Sequence, residues 1–341
     1  MDILKVGIVG YGIVGKRRRK VIDKNKYMQT VAISDINFKK DFIDKDGVHV
    51  LRDFKKIFEV DLNVLFVCLP NRYASIATKL ALKNNLHVFC EKPPGRHLSE
   101  VIDVYNVYKK KPHLKIKYGF NHRYHDSFIE AKKIISSERY GRVLNFRGVY
   151  GKSVLVPSKI GTWRSKRSEA GGGILLDQGI HMLDMIQLFS DEYNEIKSFV
   201  QNDYWKHNVE DNAFIIMRDK KNRVAMIHSS ATEWRHKFRL EITLEKALIE
   251  LSGILSGTKS YGDETFKLTK RNKNGNIIPN TKSMQYVQDL SWKKEVDEFA
   301  YIIVKNKKVK DGNITEAIRL MKLISKIYKS DKQWNRKYKI H

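Results

Sequence analysis

The chain has 341 residues, 42% of them hydrophobic and 11% aromatic, which is ample for a packed interior and excludes a disordered chain. A length beyond one comfortable core predicts two domains. Lys and Arg outnumber Asp and Glu by 65 to 38, a formal charge of +27, yet the cations recur from end to end rather than gathering on one nucleic-acid module, so no nucleic-acid partner is expected.

In the first third, β-branched runs alternate with amphipathic stretches, the pattern of a doubly wound parallel sheet. Strands are predicted at Leu4 to Val9, Thr30 to Ser34, Val48 to Leu51, Val64 to Leu69, Leu86 to Cys90 and Leu114 to Tyr118. Helices are predicted at Ile13 to Asp23, Phe54 to Phe58, Ala74 to Asn84 and Ser99 to Lys110. Six strands in this rhythm suffice for a Rossmann sheet. After Gly119 a helix is expected at Ser127 to Ser136 and a strand at Val143 to Tyr150, followed by a long polar loop through Gly173 and a helix from Ile174 to Phe189. Strands then succeed one another without helices: Glu195 to Gln201, Ala213 to Arg218, Val224 to Ser230, Arg239 to Thr243, Ala247 to Leu251 and Phe266 to Lys270, with turns at Asp219 to Asn222 and Asn274-Gly275. Helices at Trp292 to Val304 and Thr315 to Ser330 close the chain. The expected architecture is an α/β Rossmann domain over residues 1–121, followed over 122–341 by an α+β domain with a mostly antiparallel sheet, whose last helices can pack back on the Rossmann domain.

The only cysteines, Cys68 and Cys90, form no C-x-x-C pair, so neither a disulfide framework nor a thiolate metal site is expected. The apolar opening from Ile3 to Val14 carries its cations after it, at Lys16 to Lys20, the reverse of a secretory leader, and no apolar run is long enough to span a membrane. A cytoplasmic protein is expected. The basic run itself reads as the exposed face of the first helix, with contact to a pyrophosphate or a partner as the alternative.

Gly10, Gly12 and Gly15 form G-x-G-x-x-G between the first strand and first helix. The first allows a tight turn, the second lets backbone approach a pyrophosphate, and the third permits close helix-to-strand packing, while the first helical amides, at Ile13 and Val14, hold the anion. Asp35, 20 residues beyond Gly15, ends the second strand, where a carboxylate accepts from the adenosine ribose hydroxyls. It would repel a 2′-phosphate, which favours NAD over NADP, although Lys39 and Lys40 close behind could tolerate that phosphate.

The fifth strand runs into Glu91-Lys92-Pro93 at the carboxyl edge of the sheet, where open α/β folds bind ligands. Lys92 can there offer its charge to a substrate oxygen, and a Lys-Pro step can adopt the cis form. Further on, Gly171-Gly172-Gly173 precede a helical pattern containing Asp177, His181 and Asp184. Spacings of four and three put the carboxylates on the histidine's face of a helix, so that Asp184 can orient His181. Their neighbours Leu175, Leu176, Met182, Leu183 and Ile186 are apolar, and polar groups on such a helix need a reason. That reason is catalysis or, alternatively, a satisfied core histidine.

The glycine fingerprint, Glu91-Lys92-Pro93, and Gly171 to Asp184, in this order over nearly the whole chain, resemble the glucose-fructose oxidoreductase / inositol dehydrogenase (Gfo/Idh/MocA) family. The resemblance implies an NAD(P)-dependent oxidoreductase with Lys92, Asp177 and His181 as catalytic lysine, aspartate and histidine. It also implies a C-terminal open sheet that carries substrate specificity and builds homodimers or homotetramers. Leu69, Pro70, Asn71, Glu91 and Asn121 then join the cofactor-binding set, with Asn121 lining the junction of nicotinamide and substrate. The family often has Pro-Asn-x-x-His after the fourth strand, whereas this chain has Pro70-Asn71-Arg72-Tyr73-Ala74, so no contact from that histidine carries over. Pro94 after Pro93 is a second departure.

The expected chemistry is hydride transfer at a secondary alcohol or ketone carbon of a sugar, with His181 moving the proton, Asp177 orienting it and Lys92 stabilising the developing alkoxide. Lys152, Lys159, Arg164, Lys166 and Arg167 surround Trp163, with Arg123 and Tyr124 nearby in sequence. Cations with an aromatic wall suit a nucleotide-linked or otherwise anionic sugar. A free sugar or inositol is the alternative substrate, and a non-catalytic dinucleotide sensor the alternative of another class.

Overall fold

A computed structural model describes residues 3–154, 162–256, 258–270 and 280–339. The chain divides into two units: Met1–Phe120, Ser168–Gly171 and Trp292–Met321 form the first, and Asn121–Arg167, Gly172–Ser291 and Lys322–His341 the second.

The first unit contains β1 (Leu4–Val9), α1 (Ile13–Ile22), β2 (Met28–Ser34), β3 (Phe42–Ile43), β4 (His49–Leu51), β5 (Val64–Val67), α2 (Asn71–Lys83), β6 (His87–Glu91), α3 (Leu98–Tyr108) and β7 (Ile116–Gly119). Its sheet runs β3-β4-β2-β1-β5-β6-β7, parallel throughout except for the β3–β4 pair. The six expected strands are therefore present in one Rossmann sheet, whose strand order reverses between β1 and β5 while the strands stay parallel. Continuous apolar runs suit strands covered on both faces, and all four residues of β5 are buried. The unexpected β3 is two exposed residues, with no buried face to leave a pattern. Phe54–Glu59 forms a tight 3₁₀ turn rather than an α-helix, begun by the Asp53 side chain accepting from Lys55 N at 2.9 Å.

The second unit contains α4 (Asp126–Ser136) and β8 (Val143–Gly151); after α5 (Arg167–Ala170), which spans the division, come α6 (Ile180–Gln187), β9 (Tyr193–Gln201), β10 (Asn212–Asp219), β11 (Val224–Ser230), β12 (Lys237–Leu244), β13 (Ala247–Ser252), β14 (Glu264–Lys270) and β15 (Asn280–Tyr286). The sheet order is β15-β14-β13-β12-β8-β11-β10-β9. Every pair is antiparallel except β8–β11. β15 escaped prediction because none of its residues is fully buried, and Asn274-Gly275 lies outside the described residues. α7 (Ser291–Val304), α8 (Ile314–Ser330) and α9 (Lys332–Tyr338) close the chain. The last begins where Asp331 accepts from Trp334 N at 2.9 Å.

From Trp292 on, α7 belongs to the first unit. Its Val296, Phe299 and Ala300, spaced for one helical face, join the buried cluster of Val6, Ile8, Val64, Phe66 and Phe89. Phe299 lies edge-on to both Phe66 and Phe89, with centroids 6.2 and 5.6 Å away. Burying a phenylalanine of this kind contributes roughly 1.5–3 kcal/mol. Beside this cluster the basic run on α1 departs from expectation: Lys16 and Lys20 are exposed, but Arg18 is entirely buried. Its guanidinium donates to Glu91 and Glu295, each at 2.7 Å, and lies 4.4 Å over Phe89 and 4.2 Å over Trp292. Burial opposes the charge, but the two carboxylates outweigh it and raise the Arg18 pKa above its ordinary value.

The expected single helix over 174–189 is instead a wide π turn, Leu175–Gly179, followed by α6. Tertiary contacts shape this start. A Cβ on Gly173 would stand 2.0 Å from the Glu210 carbonyl oxygen, and one on Gly179 2.2 Å from Ser229 Oγ. Glu210 Oε1 also accepts from Leu175 N at 3.1 Å and from the Tyr328 hydroxyl at 2.7 Å.

Candidate functional site

In the first unit, the residues expected to hold the cofactor, all but Asn121 of the second unit, lie toward the carboxyl edge of the sheet. Gly10 follows β1 with φ +87°, and a Cβ there would stand 2.4 Å from the Cys68 carbonyl oxygen after β5, at the point where strand order reverses. A Cβ on Gly15 would stand 2.1 Å from the Gly10 carbonyl oxygen, whereas one on Gly12 would meet nothing within 4 Å. Turn, cradle and close packing are thus divided among the three glycines. Gly12 begins α1 without a side-chain cap, leaving the Ile13 and Val14 end of the helix suited to an anion. Ile13 is 85% exposed beside it, an apolar surface suited to cover by a ligand.

Asp35 accepts from Tyr11 N at 2.8 Å with one carboxylate oxygen and from Asn37 N and Nδ2 at 3.0 and 2.7 Å with the other. The carboxylate therefore ties the glycine loop to the end of β2. Lys39 and Lys40 are exposed. Leu69 and Pro70 lead into α2, where the Asn71 amide donates to the Ala170 carbonyl at 2.8 Å. Glu91 ends β6 and accepts from Arg18, and the half-buried Lys92 follows it through a cis Lys92–Pro93 bond. Gly171, at φ +83°, passes so close to Arg96 that a Cβ would stand 2.6 Å from its Cα. These groups fit a dinucleotide through an uncapped helix end, an open glycine cradle and an acid at the second strand.

In the second unit the π turn and α6 place Asp177 and His181 in one cluster. The His181 ring is 3% exposed and stacks on His122, with centroids 3.7 Å apart and planes at 15°. His122 lies 2.9 Å from the Tyr150 hydroxyl through Nε2 and 3.2 Å from Asn121 Oδ1 through Nδ1. Asp177 accepts from Gln178 at 3.0 Å and from Lys152 Nζ at 3.5 Å. Tyr261 lies edge-on to Tyr150 at 5.4 Å and to His236 at 4.9 Å. Burial, and then the negative charge of Asp177, hold the Tyr261 phenol above its ordinary range. Burial, and then Lys152, lower the His236 imidazole.

Asp184, expected beside His181, receives both arms of the Arg123 guanidinium at 2.7 and 2.6 Å, and both side chains are buried. Arg123 and the half-buried Tyr124 lie on the tight 3₁₀ turn Asn121–Tyr124. In the basic loop, exposed Arg164 lies 4.3 Å over the half-buried Trp163 ring. Arg167 faces the rings of Tyr328, Trp334 and Tyr338 at 5.4, 5.8 and 4.6 Å, and Lys159 lies outside the described residues. The described residues include no cluster of metal ligands and no helix long and apolar enough to cross a membrane.

Sequence reasoning did not single out His122, Tyr150, Tyr261 or His236. They come from four separate stretches and carry no motif; the only signal was proximity of His122 to Asn121. Glu264 was missed for the same reason. It accepts from His125 Nδ1 at 2.7 Å and Ser127 N at 3.0 Å. Burial opposes its charge, but these partners hold the carboxyl at about 2 against an ordinary 4.5. Because the folded value is the lower one, Glu264 stabilises the fold above pH 4.5 and loses that contribution as pH falls toward 2. Urea unfolding across this window should show Glu264→Gln lacking roughly 3 kcal/mol of the wild-type acid-induced loss; equal slopes would contradict the pairing.

Residues 4–119 match the model of the oxidoreductase family, NAD-binding Rossmann fold, and residues 128–250 that of the GFO/IDH/MocA C-terminal domain. The chain is 27% identical over 219 residues to levoglucosan dehydrogenase of Pseudarthrobacter phenanthrenivorans, covering 58% of this chain and 54% of that protein. It is 26% identical over 193 residues to glucose-6-phosphate 3-dehydrogenase of Bacillus subtilis, covering 55% of each. These matches span about half the length of the curated relatives. A solved structure of levoglucosan dehydrogenase in complex with NADH superposes with a TM-score of 0.84 over 98% of both chains at 18% identity, a likeness of fold. With both halves matched and the strand order and glycine cradle present, the chain belongs to the GFO/IDH/MocA family of NAD-binding oxidoreductases.

Proposed function

We propose that this protein oxidises a secondary alcohol of a sugar, or reduces the matching ketone, with NAD as the cofactor and a nucleotide-linked or otherwise anionic sugar as the substrate. The observation that carries the reading is the buried His181 imidazole, four residues after the half-exposed Asp177 carboxylate, in a chain whose other unit has the dinucleotide cradle. Gly10, Gly12, Ile13, Val14 and Asp35 would hold the cofactor, with Leu69, Pro70, Asn71, Glu91 and Asn121. When bound, the nicotinamide supplies the acceptor for the hydride leaving the alcohol carbon. His181 takes the hydroxyl proton as the carbonyl forms, Asp177 orients it, and Lys92 steadies the oxygen's developing negative charge. In ketone reduction the same proton returns to the oxygen. The forked Asp184–Arg123 pair braces α6 against the turn that holds Asn121 and His122, which makes Arg123 a positioning residue.

Arg164 stacked on Trp163 supports an anionic substrate, since a guanidinium beside an aromatic wall suits a phosphate and a base. Among the relatives, one is named for a phosphorylated sugar and another for levoglucosan. The test is reduction of NAD and NADP, followed by absorbance, across nucleotide sugars, sugar phosphates, free sugars and inositols. Turnover with NAD and an anionic sugar supports the reading; NAD binding without turnover on any of them favours a sensor instead.

We also propose that the open face of the second sheet is covered by another copy of the chain. Phe199, Phe214, Ile216 and Met226 are exposed there around a groove of about 420 Å³, rimmed by Arg147, Lys197, Arg239 and Glu241. Apolar side chains gathered in this way mark association surfaces. Light scattering should give a multiple of 39.9 kDa for the wild type and a monomer for Ile216→Asp; a monomeric wild type would overturn the proposal.

A further inference from the structure

We infer that His122 is a positioning residue for His181, a neutral aromatic plate set by Asn121 and Tyr150 so that the proton removed from substrate is carried by His181 alone. The inference rests on the proposed role of His181 in alcohol oxidation. Its evidence is the nearly parallel stack, 3.7 Å between centroids, of two buried imidazoles.

The hydrogen bonds around His122 define its proton. The Ser291 hydroxyl donates to Asp289 Oδ1 at 2.6 Å, so its oxygen accepts from Asn121 Nδ2 at 3.2 Å. That orients the Asn121 amide with Oδ1, an acceptor, toward His122 Nδ1 at 3.2 Å. The Nδ1 atom therefore carries hydrogen. At the other end, burial raises the Tyr150 phenol well above its ordinary range, with Tyr261 and Asp177 adding to the effect. We take the Tyr150 hydroxyl, which keeps its proton, as the donor of the 2.9 Å bond to Nε2, which makes Nε2 the acceptor. One donor and one acceptor nitrogen make a neutral imidazole.

Neutrality matters because two imidazolium charges at stacking distance repel strongly in a buried site. A neutral plate lets His181 become charged without that repulsion and fixes the plane of its ring. Several described titratable or charged groups lie around the pair, on different elements. His125, edge-on to His122 at 5.4 Å, is bonded to Glu264 of β14. Arg123 is forked onto Asp184 of α6, and Asp177 on the π turn is bonded to Lys152 after β8. Tyr261 faces Tyr150. Phe238 of β12 adds an uncharged ring, edge-on to His122 at 6.2 Å.

The test combines a spectroscopic and a kinetic measurement on the full chain. Nitrogen-15 NMR of histidine-labelled protein, with His122 assigned by the signals lost in His122→Phe, should show the Nδ1–H neutral form across the pH range of turnover, whereas in Tyr150→Phe the ring should titrate within it. A charged or Nε2–H His122 in the wild type overturns the inference. In kinetics, His122→Ala should lower kcat about tenfold or more with NAD affinity unchanged, while His122→Phe, which keeps a neutral plate, should recover most of that loss. Equal turnover in the Ala and Phe variants overturns it as well. If the wild type turned over no sugar, the proposed reaction would fail, while the spectra would still decide the state of His122.

Discussion

His181→Ala is expected to lose on the order of a hundredfold or more in turnover while retaining its affinity for NADH. The split follows from where the groups reside. The imidazole sits on α6 in the second unit, whereas the glycine cradle and Asp35 belong to the first. Removing the ring deletes the group proposed to accept the hydroxyl proton and leaves the cradle's backbone geometry untouched. It also leaves His122 without its stacking partner, so the fold should be checked by thermal unfolding alongside. Steady-state kcat and an NADH fluorescence titration measure the two sides separately. Turnover within a fewfold of wild type would remove His181 from the proton-moving role, and loss of both activity and NADH binding in a destabilised variant would identify a core histidine.

Arg18→Ala should destabilise the first unit by about 3–5 kcal/mol, the usual effect of removing one partner from a buried ion pair. Arg18 and Glu295 are fully buried, and Glu91 keeps 13% of its side chain exposed. Without the guanidinium, two carboxylates remain close together with no cation between them, and the Phe89 ring loses the charge that covers it. Burial already pushes the Glu295 carboxyl up, to about 7, against the pull of Arg18. The Ala variant should therefore bind an extra proton at neutral pH and recover stability as the pH is lowered toward 5, opposite to the Glu264 effect. Because Glu91 immediately precedes Lys92, turnover should fall as well, even where the variant is folded. Chemical denaturation at pH 8 and pH 6 measures the effect; a loss below about 1 kcal/mol at both would show that the cage is dispensable.

Much of the fold was legible in the residues because its signals are local. The apolar runs at Leu4 to Val9 and Val64 to Val67 are each continuous within a few residues, and Gly10, Gly12 and Gly15 stand within six residues of chain. Where an element has no buried face, as in β3 and β15, no such run exists and the element was missed. The basic run on α1 shows a different limit. Five consecutive cations read as a solvated face, but a helix turns each residue about 100° from the last, and only a distant carboxylate such as Glu295 makes the inward position tolerable.

The site divides in the same way. The glycine cradle, Asp35, Glu91-Lys92-Pro93 and the Asp177–His181 spacing are short-range patterns that chemistry requires at fixed separations, so sequence by itself determined the family, the cofactor class and the candidate acid, base and cation. Only the tertiary structure decided that His122 stacks on His181, that Tyr150 lies at its Nε2, that Arg123 takes Asp184, and that Arg18 lies inside. Those contacts join residues tens to hundreds of positions apart. Their partners are selected by burial and by the need to satisfy every enclosed polar group, and neither condition exists until the chain has folded.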